Sequence, residues 1–137
     1  MAFPEVTVVF WHTLVAMVAM QMIGWVWYGP LFGKMWMKLA GVKKANVGGA
    51  RMSVIILTSV IVNVLTATIL SHFLAYADAT TFMEGVTVVF WLWLGFMMPL
   101  QLGKVLGEGK PVKLFILLTA YDLVALSAAA KVLLALA

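Results

Sequence analysis

The chain has 137 residues, of which 65% are hydrophobic and only 10% charged, and its formal net charge is +4. A soluble domain carries about 25% charged residues, so the composition excludes an ordinary water-soluble fold, and the basic excess points to lipid headgroups rather than nucleic acid. Cysteine is absent, which removes disulfides, thiolate metal sites and thiol catalysis.

Four apolar runs, at about residues 6–27, 52–76, 86–102 and 112–136, reach the roughly 17–25 residues that a helix needs to cross a bilayer. Strands of a closed barrel would alternate polar and apolar side chains over about 10 positions. These runs are continuous, so they read as helices, the other structure that satisfies its own backbone in lipid. The expected fold class is all-α: an integral membrane four-transmembrane-helix bundle, one domain over 1–137, with a short cytoplasmic interfacial helix. The first run starts after Glu5, without a basic leader or a small-residue cleavage site, and reads as a retained span rather than a signal peptide.

The interfacial helix is expected at about 30–40. Pro30 suits a first helical turn. After it Leu31, Phe32, Met35, Trp36 and Leu39 share one face and Lys34 and Lys38 another, the pattern of a helix lying in a membrane surface. Gly41 is placed to end it, and Gly48-Gly49 gives a flexible lead into span two. Trp27, Tyr28 and Trp36, with Lys34 and Lys38, fit membrane-interface anchors.

Charge between the spans sets an orientation. The first loop holds Lys34, Lys38, Lys43, Lys44 and Arg51 with no acid, and the third holds Lys104, Lys110 and Lys113 against Glu108. The second has only Asp78 and Glu84. Positive loops stay in the cytoplasm, so the expectation is a cell (inner) membrane protein with basic loops inside and both termini outside. Lys131, deep in the last span, can snorkel to the outer interface.

Span one opens with Val6-Thr7-Val8-Val9-Phe10-Trp11, which recurs unchanged as Val86-Thr87-Val88-Val89-Phe90-Trp91, and the register continues to Gln21 and Gln101. This echo suits two parallel hairpins. Gln21 and Gln101 near the inner span ends are expected to be hydrated or bonded to backbone.

Within the spans, Asp122 is the one carboxylate placed deep. It lies about 15 Å along its helix at 1.5 Å per residue, where a charge costs about 2.5–3.5 kcal/mol. Thr119, Asp122, Ala125, Leu126 and Ala129 share a small and polar face that should pack on another helix. Asn63, at similar depth with Ser59, Thr66 and Ala67 on its face, is the expected partner of Asp122. Such a pair is either polar glue between helices or part of a proton or cation pathway. His12 and His72 approach matching depths near the outer face and read first as interfacial hydrogen-bonding groups; a haem or metal held between them is the lesser alternative, since His72 points away from the Asn63 side of its helix. No other cofactor is expected, and the methionines read as adaptable packing. Gly103, Gly107 and Gly109 lack the strand-to-helix setting of a phosphate loop.

The stretch Trp27-Tyr28-Gly29-Pro30-Leu31-Phe32-Gly33-Lys34-Met35-Trp36 resembles the signature of a small membrane-protein family known as domain of unknown function seventeen sixty-one. Trp93-Leu94-Gly95-Phe96, Glu108-Gly109-Lys110-Pro111 with Leu114-Phe115, Tyr121-Asp122-Leu123 and His72 before Ala79-Thr80-Thr81 are similar as well. The chain departs at Gly29, where serine is usual, and at Ala120, where glycine often stands. Asp122 is itself unexpected, which argues against a family-wide role for it. The resemblance implies four spans and a mostly bacterial setting, and it implies no activity. The sequence alone favours a non-catalytic accessory or structural subunit of a membrane assembly, as a homo-oligomer or within a larger complex. The alternative is a small oligomeric transporter or channel built on Asp122 and Asn63.

Overall fold

A computed structural model describes residues 5–43 and 50–137. The described residues form helices and no strands. Helix α1, Phe10–Val26, runs into a wider π turn, Trp27–Leu31, and is followed by α2, Gly33–Ala40. Helix α3 covers Ala50–Tyr76. Helix α4, Phe82–Leu92, continues through a second π turn, Trp93–Met97, into α5, Met98–Gly107, and α6, Val112–Leu136, completes the chain. Counted through their π turns, four helices are long and apolar enough to cross a membrane: Phe10–Leu31, Ala50–Tyr76, Phe82–Gly107 and Val112–Leu136.

The repeated hexapeptide takes two different backbones. Residues 86–91 lie inside α4, whereas residues 6–9 precede α1, with Val9 extended at φ −87° and ψ 113°. The difference comes from what stands upstream. Thr81 accepts from the Glu84 amide and Glu84 accepts from the Thr81 amide. This capping box starts α4 before the second copy is reached. No side chain caps α1, so that helix starts only as the apolar run is entered.

Three helices end alike. A left-handed residue follows α2 at Gly41 (φ 73°), α3 at Asp78 (φ 56°) and α5 at Gly109 (φ 71°). In each case the next amide reaches back five residues: Val42 to Met37, Ala79 to Leu74 and Lys110 to Val105. These bonds satisfy carbonyls that the helix end would leave free. The expected stop at Gly41 is therefore real, while Lys44 and Gly48-Gly49 lie outside the described residues.

The interfacial helix starts later than expected. Pro30 sits within the π turn, not in the first turn of α2, and the amide of Phe32 bonds back to the Trp27 carbonyl at 2.9 Å. Gly33 then begins α2 so close to the π turn that a Cβ there would lie 2.7 Å from the Tyr28 carbonyl oxygen. Span three is likewise longer than expected. Gly103, Lys104 and Gly107 belong to α5 rather than to a loop.

Helix α6 is the hub, packed against α1, α3, α4 and α5. Its small face allows this: Ala125, Ala129 and Ala130 are buried together with Thr119, Leu126 and Leu133. Opposite them lie Ala16 and Met20 of α1, Ala67 and Leu70 of α3, and Val89 of α4. Trp93, in the second π turn, donates its indole N–H to the Thr119 carbonyl at 2.8 Å. The Thr119 hydroxyl donates to the Phe115 carbonyl one turn back at 2.7 Å.

The two basic loops meet at one end of the bundle, where Lys110 Nζ donates to the Ala40 carbonyl at 2.9 Å. At the other end Lys131 Nζ stands 5.5 Å from the centre of the Phe82 ring, within cation–π range. The basic and acidic ends are thus spatially separate, as four alternating helices require.

Candidate functional site

The polar residues of the spans assemble differently from the pairing expected in sequence. Asn63 does not bond to Asp122. Its Nδ2 donates to Gln21 Oε1 at 2.8 Å, Gln21 Nε2 donates to Ser59 Oγ at 2.7 Å, and Ser59 Oγ donates to the Ile56 carbonyl at 2.8 Å. The result is a directional chain from α3 to α1 and back, with Asn63 7% and Gln21 9% exposed. The reason is stereochemical. A glutamine amide offers an acceptor and a donor at once, so Gln21 can serve two residues one turn apart on α3. Asp122 instead accepts from Gln101 Nε2 at 3.3 Å. Both glutamines, expected to be hydrated or backbone-bonded, are interhelical links.

Helix α3 explains the space beside these residues. Its second half closes on the bundle, with Asn63, Ala67, Leu70 and Leu74 buried, whereas residues 51–58 are all exposed. The helix therefore leans away from α6 toward the basic end, and a cavity of about 860 Å³ opens between them. The Gln21–Asn63 bond lies on its wall, with Ser59 and Thr66. Asp122 and Tyr121 of α6 face the same cavity, and Trp36 and Met37 of α2 line it from the basic end. Asp122 and Asn63 thus share a cavity without sharing a hydrogen bond.

Aromatic rings form one side of this cleft. Tyr28 stands edge-on to Tyr121 with centroids 5.0 Å apart and to Trp36 at 5.3 Å. Trp27 packs on Phe32 at 4.8 Å and reaches Tyr121 at 6.2 Å. Gly24 makes room for this cluster, because a Cβ there would meet the Tyr121 hydroxyl at 3.1 Å. Trp27, Tyr28 and Trp36 were expected as interface anchors; the structure packs all three together beside α6, with the Trp27 indole nitrogen buried and unpartnered. Lys34 and Lys38 stand exposed on the outer face of α2.

The two histidines make separate local contacts. His72 Nδ1 lies 2.9 Å from the Thr68 carbonyl on its own helix, and His12 packs edge-on against Trp11 at 4.2 Å. Among the described residues there is no group of three or more His, Cys, Asp or Glu that could hold a metal.

The signal missed in sequence was the glutamine pair. An uncharged side chain with two hydrogen-bonding ends, set inside an apolar run, seeks a protein partner where lipid offers none. Gln21 and Gln101 met that description.

No curated protein and no solved structure matches the chain. A family model matches residues 11–134, nearly all of the chain, including every residue of the cleft just described, and its description is "Protein of unknown function (DUF1761)". The chain belongs to that family, as the tryptophan–tyrosine stretch before α2 led one to expect.

Proposed function

We propose that this is an integral protein of the cytoplasmic membrane that binds a small amphipathic molecule in the cleft between α1, α3 and α6, as the substrate site of a small carrier. The cleft is the observation that carries the reading. It holds about 860 Å³, within the roughly 300–1,000 Å³ usual for small-molecule sites, which are mostly apolar with a few placed polar groups. Here the apolar surface comes from residues such as Met20, Val62 and Leu126, and the polar groups are Gln21, Ser59, Asn63 and Asp122.

Four long apolar helices support the membrane setting. The gathering of the basic loops at one end supports placing that end inside and both termini outside. The accessory or structural subunit favoured by the sequence alone rests on the lack of a convergent polar cluster, on the many aromatic and methionine side chains available for packing and on the basic first loop. The cleft supplies such a cluster, and the carrier reading moves ahead. Assembly as a homo-oligomer, or in a larger membrane complex, fits a cleft whose α3 wall is exposed over residues 51–58. A second copy or a partner would complete the enclosure.

The test uses the purified protein in lipid nanodiscs and a neutral, environment-sensitive dye such as Nile red. Saturable binding above that of empty discs is expected. It should be lost when Val62→Trp, a half-exposed lining position, fills the cleft. Absence of saturable binding, or binding indifferent to Val62→Trp, overturns the proposal.

A further inference from the structure

Asp122 is the one charged side chain on the walls of the cleft among the described residues. Its polar partner is Gln101, a neutral amide, and no lysine, arginine or histidine of the described residues lines the cavity with it. Arg51 belongs to a separate recess that shares only Val54 and Ile55 with the cleft. A carboxylate in a largely apolar cleft and lacking a counter-ion is costly, and a bound positive charge offsets that cost.

We infer that the cleft selects a lipophilic organic cation, a molecule with one positive charge on an apolar body; this rests on the cleft being a binding site as proposed above. Three features rank other occupants behind a cation. An anion would meet Asp122 with no compensating cation. A neutral molecule would leave the carboxylate unpaired. A bare metal ion needs several hard oxygen ligands, and no other carboxylate of the described residues lines the cleft. An alkylated or aryl cation is different, because it carries little water to lose and can rest on aromatic faces within about 6 Å of a ring centre. Tyr28, Tyr121, Trp25 and Trp36 line the same cleft. The apolar residues opposite, on α3 and α1, take up the rest of the ligand.

The experiment compares tetraphenylphosphonium with tetraphenylborate, its near-isosteric anion, as competitors of the neutral dye on the nanodisc-embedded protein. The phosphonium is expected to displace the dye and the borate is not. Asp122→Asn should weaken the phosphonium, measured directly as the radiolabelled ion, by about tenfold or more, equivalent to a unit in the logarithm of Kd, and Asp122→Glu should retain it. If the dye binds in a manner sensitive to Val62→Trp but phosphonium and borate compete equally, or Asp122→Asn leaves the phosphonium affinity unchanged, the cation inference falls and the cleft reading stands. If the dye finds no site, both fall. Should Asp122→Asn fail to fold, the comparison of the two ions on the unaltered protein decides alone.

Discussion

Gln21 shows how a single side chain organises this bundle. It accepts from Asn63 and donates to Ser59, so replacing it by leucine leaves two groups on α3 without their α1 partner. Interhelical hydrogen bonds in membranes contribute about 0.6–2 kcal/mol each. A double-mutant cycle of Gln21→Leu and Asn63→Leu is expected to show coupling in that range, read from unfolding in mixed micelles; strict additivity would mean the bond contributes nothing. Gly33 makes a different residue-scale demand. A methyl group there would strike the Tyr28 backbone oxygen, which cannot swing aside as a side chain can. Gly33→Ala should cost about 1–3 kcal/mol, the usual range for overpacking, and should raise amide exchange across the first turn of α2. A wild-type exchange pattern would show that α2 shifts freely.

At the scale of elements, the sequence was informative where a rule is local. Span four, the stop at Gly41 and the amphipathic pattern after Leu31 follow from run length, a left-handed glycine and side-chain spacing. The Thr81–Glu84 capping box is an equally local signal, threonine followed three residues later by glutamate, and an expected start at residue 86 overlooks it. The π turns at Trp27–Leu31 and Trp93–Met97 were not. Each inserts one residue into a helix, and which residue is surplus depends on the packing of both flanks. The pairing of Asn63 with Gln21 was hidden for a related reason. Helices apolar on every side carry little periodic signal about which face meets which neighbour. Helix α2 is held at its far end by Lys110, whose ammonium meets the Ala40 carbonyl, where a helix dipole favours positive charge. Lys110→Ala is expected to loosen the last turn of α2 by about 0.5–1.5 kcal/mol, the net value of a typical hydrogen bond. Hydrogen exchange at Leu39 to Val42 is the readout, and unchanged protection there would rule out the tether.

For the molecule as a whole, orientation is the property most directly open to test. The chain has no cysteine, so a single introduced thiol reports one place only. Ala77→Cys, at the acidic end, should react with an impermeant maleimide on intact cells. Lys43→Cys and Lys113→Cys should react only after permeabilisation. The reverse pattern would invert the proposed topology. Overall architecture was readable from composition because the solvent dictates it: 65% apolar residues in long runs permit few alternatives to a helical bundle. The cleft was not readable, since it arises from the lean of one helix, a relation between α3 and α6 that neither segment records alone.

That lean sets where a ligand is counted. On the proposed carrier reading, the exposed turns of α3 over residues 51–58 leave that side of the cavity uncovered, and in a bilayer a ligand would enter there from among acyl chains. Occupancy then follows the mole fraction of ligand in the leaflet. A compound dilute in water but strongly partitioned into lipid would fill the site, while a more soluble relative with the same intrinsic fit would not. Lipid composition, by setting that partitioning, becomes a determinant of selectivity alongside the side chains themselves.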